Sequence, residues 1–540
     1  KDIVIVFNGE IYNHKELREE LIAKGHIFAN NADTEVLVHG YEEYGTELLY
    51  RLRGMFAFMI YDMKKKLFFG ARDFFGIKPF YYTQTEEGNL VFCSEIKGIL
   101  QFPGIERKVN EEALEQYLSF QYSVLPETFF KGIYKLPAGH FMIYKDGELN
   151  VERYFDPMME PVRESKISLE DTVFDIETLV KNSVDAHMIA DVEVGSLLSS
   201  GVDSSYVVSQ FPGKKTFTVG FLDKNSKYNE VPYAESLVKE LDKENYSKNI
   251  NSDEYFDSIS KVMYYMDEPL ADPSCIALYF VDQLASEHLK VVLSGEGADE
   301  FFGGYNIYHE PISLRPFKFI PKFIKKPMAA IAKKLPNFKG KNFIIRGSKT
   351  VEERFIGNAN MFSVEERSKL LKTQKTNIPP SQIVESCYAQ VKGLNDIAKM
   401  QYIDINFWLQ GDILLKADKM SMAHSLELRV PYLDKMVMEE AVRYPAEYKI
   451  SYDTKAVLRT ASNKTLPGEW ANRKKKGFPV PIAKWLEDKD FSAKVKSAFT
   501  SDAAAEYFDV DKLVAMLADP AHNRRKIWTA YTFLVWHEQF

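Results

Sequence analysis

Two stretches concentrate residue types that bind phosphate and carry charge. The first is Leu197-Leu198-Ser199-Ser200-Gly201-Val202-Asp203-Ser204-Ser205, where apolar residues lead through a small-residue turn into a helical pattern. A loop at a helix N-terminus offers unpaired N–H groups and the positive end of the helix dipole, which together suit a phosphate. Ser199, Ser204 and Ser205 add hydroxyls, and Gly201 lets backbone approach a ligand. Asp203 repels an anion unless a Mg²⁺ lies between them. The stretch lacks the Gly-Lys-Ser/Thr ending of a Walker loop, and by itself it also fits a serine-rich helix cap. The second stretch is Val291-Val292-Leu293-Ser294-Gly295-Glu296-Gly297-Ala298-Asp299-Glu300, again a strand pattern, a glycine turn and acids.

The surrounding pattern says how these loops are held. Strand-like Gly195–Leu198, Thr216–Phe221 and Val291–Ser294 alternate with helical periodicity over Ser204–Gln210, Val231–Leu241 and Ile276–Glu287. That alternation predicts a parallel sheet with crossover helices. Loops at the carboxyl ends of such strands converge on one crevice, so Asp203 and Asp299 are expected to share one magnesium ion, leaving Glu296 for an organic substrate. From about Tyr402 helical patterns dominate. Residues 1–155 read differently, as short β-branched and aromatic strands with helices near His14–Lys24 and Thr34–Tyr44, an α+β arrangement. A polar, proline-containing stretch then marks the boundary. The expected division is 1–155, a linker over 156–175, and 176–540.

Composition narrows the class. The chain has 540 residues, 45% hydrophobic and 27% charged, with a net charge of −8. That balance is globular and speaks against nucleic-acid binding by the whole chain. No apolar run is long enough for a transmembrane helix. Cys93, Cys275 and Cys387 have neither disulfide-framework nor zinc spacing, which fits a reducing, cytoplasmic setting. The opening Lys1-Asp2-Ile3-Val4-Ile5-Val6-Phe7 reads as a buried strand, and a preceding element is expected. Between Pro311 and Thr350 stand eleven Lys or Arg and no acid. This is read as a solvated helical insert with Phe and Ile turned inward, the alternative being a patch for an acidic partner or membrane surface.

Together these motifs resemble a known family. Ser199–Ser204 is similar to the pyrophosphate loop of ATP pyrophosphatases, and Ser294–Glu300 to the S-G-E-G-x-D-E loop of asparagine synthetases. The resemblance extends through Asp267–Ser274, Leu415–Ala423, Glu427–Asp434 and Lys475–Pro481, over nearly the whole chain. It implies a doubly wound α/β ATP-pyrophosphatase domain with a helical C-terminal part. The implied reaction uses ATP and Mg²⁺ to adenylate the β-carboxylate of aspartate, after which ammonia displaces AMP. Ser199, Gly201, Asp203 and Ser204 would hold pyrophosphate, and Leu197, Val219, Ser294 and Gly295 the adenosine. Asp203 and Asp299 would hold metal, Glu296 would serve acyl-adenylate formation, and Lys455 would offset phosphate charge in the transition state. Without the resemblance, Lys455 reads as an exposed helix lysine. Ser200 departs from the family glycine, and its small side chain is expected to be tolerated.

The first 155 residues resemble N-terminal-nucleophile glutaminases, an αββα fold incomplete at its start. The matching stretches are Phe7–Asn13, Ala32–Glu35, Gly54–Phe58, Arg72–Pro79 and Ser94–Lys97. The resemblance implies an oxyanion hole at Asn8 and Gly9, with Glu10 and Asp33 holding the glutamine α-amino group. The family nucleophile is an N-terminal cysteine; position 1 is lysine, and no cysteine present is placed to replace it. The expectation is therefore a chain missing roughly 60–70 residues at its start, with free ammonia as the alternative nitrogen source. The expected partners are aspartate, glutamine or ammonia, and ATP, and a homodimer is compatible with this. The rivals are a β-lactam-synthetase-like or other amidating enzyme and a non-catalytic ATP-binding scaffold. Glu296 and the Asn8-Gly9-Glu10 stretch favour asparagine synthesis.

Overall fold

The computed structural model describes residues 2–157, 167–222, 229–336, 338–373, 376–451, 453–474 and 480–540. Most of the Lys475–Pro481 stretch and part of the 156–175 linker lie outside them.

Among the described residues the first half contains eight strands: β1 Ile3–Ile11, β2 Gly54–Asp62, β3 Leu67–Arg72, β4 Tyr81–Gln84, β5 Leu90–Cys93, β6 Tyr134–Lys135, β7 His140–Lys145 and β8 Glu148–Arg153. One antiparallel sheet runs β1-β2-β3-β7-β8, and a second runs β5-β4-β6. Side chains alternate across a strand, and β2 uses both of its faces. Phe56, Phe58 and Ile60 enter the main core, whereas Ala57 and Met59 pack with Phe80, Leu136 and Met142 in a separate cluster. The helices His14–Ala23 and Asp33–Tyr44 cover the main-core side through Leu17, Leu21, Val36 and Leu37. The expectation of a buried opening strand is corrected. β1 lies at the sheet edge, with Ile3, Ile5 and Phe7 against the core and Val4 and Val6 54% and 60% exposed. Cys93 is the last residue of β5.

The second half is built on β9 Val194–Leu197, β10 Lys215–Phe221, β11 Glu244–Ile250, β12 Val291–Leu293 and β13 Glu427–Arg429. All neighbours are parallel, in the order β11-β10-β9-β12-β13. The strand order therefore reverses between β9 and β12, the place where open sheets of this kind open a crevice. Helices take over from Ala298, earlier than the pattern near Tyr402 suggested, and β13 is the single later strand among the described residues.

The basic insert is helical at Lys322–Lys334 and Lys341–Gly347, but its apolar residues do not turn inward as expected. Phe319, Phe323 and Ile331 are 88%, 77% and 61% exposed, and Ala332 is the buried member of the longer helix. Phe317 is the insert's phenylalanine that does turn inward, packing on Gly347, where an added Cβ would stand 2.6 Å from its ring.

Charged pairs join the halves. Lys78 Nζ lies 2.9 Å from Asp418, with both side chains buried. The Asp267 carboxylate accepts the Ile96 N–H at 2.9 Å and pairs with Lys97 and Lys419 at 2.9 and 2.6 Å. Arg53 Nε donates to Asp434 at 2.8 Å, and Lys135 sits 3.4 Å from Glu268.

Candidate active site

A cavity of about 360 Å³ opens where β9 and β12 end. The carboxyl end of β9 delivers Ser199–Gly201 to the start of the helix Val202–Gln210, whose N-cap Gly201 makes no side-chain cap. The turn is held from within: Ser199 N–H donates to Ser204 Oγ at 3.0 Å, and Gly201 N–H donates to Ser199 Oγ at 3.1 Å. The helix N-terminus therefore faces the cavity with hydroxyls arrayed around it, a setting that favours phosphate. Ser200 has its own accommodation, since its Oγ donates to Glu230 at 2.8 Å and its N–H reaches the same carboxylate.

The loop after β12 lies directly on this turn. A Cβ added to Gly295 would stand 2.8 Å from Ser204 N and 3.1 Å from Asp203 C, so glycine is what permits the contact. Lys455 ties the two loops together: its buried Nζ lies 2.5 Å from Asp203 Oδ2 and 2.6 Å from Asp299 Oδ1. Lys455 takes a left-handed backbone (φ 56°) at the start of the helix Ala456–Ser462, an unusual state for a residue with a Cβ. Gly304 makes room for the pair, because a Cβ there would fall 2.1 Å from Lys455 Cε. Burial alone would push the Lys455 pKa down; the Asp203 and Asp299 charges outweigh it and hold the ammonium above its ordinary value.

Asp203 Oδ1 is buried and has no hydrogen-bond partner among the described residues. A carboxylate oxygen left over beside a second carboxylate is a hard, anionic donor set, and it fits Mg²⁺. Glu296 faces the same cavity with Ser294 Oγ 3.4 Å away. Burial raises its pKa, Lys416 opposes this, and Asp299 and Asp203 add to it.

Leu197, Ser199, Gly201, Asp203, Ser204, Val219, Ser294, Gly295, Glu296, Asp299 and Lys455 all line this one cavity, whereas Ser205, expected to add a hydroxyl, is fully buried on the helix and does not reach it. The apolar side is completed by Phe217, Leu278 and Val281. A further cation had not been singled out. Lys416 lies in the cavity wall and is held by Asp272 at 2.5 Å and Asp412 at 2.7 Å. Burial pushes Asp412 up to about 8, whereas the Lys416 charge overcomes burial at Asp272 and brings it to about 2. Lys416 and Asp272 both sit in stretches already noted for their resemblance. Asp412 comes from a π-helical stretch, Asp404–Ile413, which sequence periodicity does not reveal.

The residues of the first half lie elsewhere. Gly9 has φ 148°, and a Cβ there would meet Met55 O at 2.0 Å, so the β1–β2 ladder requires glycine. Asn8 precedes it opposite Ala57. The Asp33 carboxylate accepts the Ile11 N–H at 3.0 Å. Glu10 Oε2 lies 3.2 Å from Arg429 at the end of β13, joining this region to the second half. Burial lifts Glu10 to about 7 against the pull of Arg429, with Asp33 adding to the rise.

Residues 175–538 match the asparagine synthase family, and residues 1–155 match the glutamine amidotransferase domain. The chain is 43% identical to asparagine synthetase [glutamine-hydrolyzing] 1 of Bacillus subtilis over 99% of its own length and 85% of that protein's. It is 39% identical to a putative asparagine synthetase [glutamine-hydrolyzing] of Mycobacterium tuberculosis, covering 99% of this chain and 84% of the relative. Asparagine synthetase [glutamine-hydrolyzing] 3 of Bacillus subtilis is 31% identical over 89% of this chain and 78% of its own.

Proposed function

Because the chain belongs to the asparagine synthase family and carries a glutamine amidotransferase domain ahead of the synthase part, we propose that it amidates aspartate to asparagine at the expense of ATP. The observation that carries this reading is the meeting of the Asp203 and Asp299 loops on the buried Lys455 ammonium. The helix N-terminus at Val202, with Ser199 and Ser204, receives the β- and γ-phosphates, while Leu197, Val219, Ser294 and Gly295 enclose the adenosine. Asp203 and Asp299 would hold magnesium, which would supply charge neutralisation to the triphosphate.

A carboxylate is a poor electrophile, and adenylation makes it a good one. An oxygen of the aspartate β-carboxylate attacks the α-phosphorus and the bond to pyrophosphate breaks. Lys455 stands beside the phosphate loop to balance the charge that grows on the departing oxygens. Ammonia then attacks the acyl carbon, AMP leaves, and the nitrogen gives up a proton. Glu296, with its carboxyl poised above the usual range, orients the amino acid and the acyl centre. In the first half, Asn8 and Gly9 stabilise the glutamine amide oxyanion, and Glu10 and Asp33 receive the α-ammonium group.

The same proposal takes the first half as αββα layers over residues 1–155, the linker as 156–175, and residues 176–540 as a doubly wound domain with a helical end, working in the cytoplasm. The test is pyrophosphate release with ATP, Mg²⁺ and ammonia while the amino acid is varied. Release that depends on aspartate is expected; release with a different carboxylate alone overturns the assignment.

A further inference from the structure

A second cluster of donor groups stands in the first half, on the hairpin formed by the helices His14–Ala23 and Asp33–Tyr44. The first helix ends in a Schellman turn. Gly25 (φ 99°) donates its N–H to Ile22 O at 2.9 Å, and His26 N–H donates to Leu21 O at 3.1 Å. That closure fixes the His26 backbone opposite the second helix, which presents His39 and, one turn on, Glu42. His26 Nδ1 lies 3.3 Å from His39 Nδ1 and 3.6 Å from Glu42 Oε2, and His39 Nδ1 lies 2.8 Å from the same oxygen.

The far side of each ring meets a further carboxylate. His26 Nε2 is 3.2 Å from Glu43, which Lys24 holds at 2.9 Å, and His39 Nε2 is 3.7 Å from Glu35. With a proton on each Nε2, toward those acids, both Nδ1 atoms are lone pairs. Three electron-rich atoms then converge with no proton between them, an arrangement a cation completes. Histidine metal ligands are held in this way by carboxylates on the remote nitrogen.

The spacing is also that of a coordination shell. A circle through the three atoms has a radius of about 1.9 Å, so an ion about 2.0–2.1 Å from each sits just out of their plane. That is the bond length of zinc to imidazole and carboxylate, and the exposed position of Glu42 leaves a fourth place open to water. We propose that His26 Nδ1, His39 Nδ1 and Glu42 Oε2 bind one transition-metal dication of the zinc class, clipping the loop after the first helix onto the second. Two imidazoles with one carboxylate favour zinc over magnesium, so this site does not compete for the Mg²⁺ of the cavity.

The experiment uses the full chain, stripped of metal and titrated with Zn²⁺ alone against a chromogenic chelator, with Co²⁺ as a spectroscopic probe. One tight equivalent per chain is expected, retained in excess Mg²⁺, with Co²⁺ giving the strong visible bands of a low-coordinate site. His26→Gln and His39→Gln should each lose at least about tenfold in affinity, and Glu43→Gln about 10–100-fold through the remote nitrogen. The exposed Glu42→Gln variant, with unchanged thermal unfolding in the metal-free state, gives a further reading should a histidine variant not fold. No tight equivalent, or one that survives in folded His39→Gln and Glu42→Gln, overturns the site.

Discussion

Replacing Lys455 with methionine removes one charge while keeping most of the side-chain volume. Its Nζ lies 2.5 and 2.6 Å from oxygens of Asp203 and Asp299, so those oxygens can be no more than about 5 Å apart. Two like charges at that distance repel by about 3 kcal/mol at an effective dielectric constant near 20. Each carboxylate is about one-fifth exposed (22% and 21%), and solvent screening lowers that figure. The resting site therefore loses part of its order, and one carboxylate takes up a proton more readily. During reaction the loss is larger, because the ammonium is buried and preorganised where phosphate charge develops. Removing one such group costs on the order of 10²–10³ in kcat, or about 3–4 kcal/mol. Aspartate-dependent pyrophosphate release should fall by that factor, and Lys455→Arg should restore part of it. A methionine variant that is folded and keeps kcat within about threefold would refute the role given to this side chain.

Other substitutions probe separate parts of the argument. Gly295→Ala places a Cβ 2.8 Å from the Ser204 nitrogen; backbone cannot step aside, and the KM for ATP should rise on the order of tenfold or more, while an unchanged KM counts against the loop contact. Glu10 holds its proton to about pH 7 in the fold but releases it near 4.5 when unfolded. Its contribution to stability is thus present below about pH 4.5 and lost as pH rises to about 7. Thermal scans of wild type and Glu10→Gln should show the wild type losing ground to the variant over that window, and parallel curves would contradict the shift. Asp267→Ala strands Lys97 and Lys419 between the halves. Breaking a buried pair in this way costs about 3–5 kcal/mol, visible as a clear drop in the denaturant midpoint; a change under about 1 kcal/mol would be inconsistent with the pairing described.

The second-half cavity is legible in the sequence because loop chemistry is local. A strand, a small-residue turn and an acid are adjacent in the chain, and β9 and β12 needed only to be neighbours for their loops to meet. Lys455 was reached through resemblance alone; nothing in Lys455-Ala456-Val457 signals a left-handed residue whose ammonium is buried. Lys416 and Asp412 pair at four residues' spacing but are not legible as a site, because the third member, Asp272, is distant in sequence and because a π-helical stretch changes the helical phase. β11 and β13 were missed for a different reason. Glu244–Ile250 is mostly polar, Glu427–Arg429 is three residues long, and both flank the sheet, so pairing rather than propensity defines them. The basic insert was misjudged because periodicity shows that a helix has an apolar face without showing what that face meets.

The seam between the halves is stitched by ions as well as by rings, with Phe129 and Phe130 against Trp536 and Tyr122 against Trp408. Lys78 with Asp418, Arg53 with Asp434, Lys135 with Glu268, and Lys97 with Asp267 each take one member from either side, while Lys419 backs Asp267 from its own half. Cut apart, each piece would display bare charges shaped for an absent counterpart. Neither is a portable module, and a chimera grafting this amidotransferase part onto a distant relative's synthase would have to carry the matching acids and bases across with it.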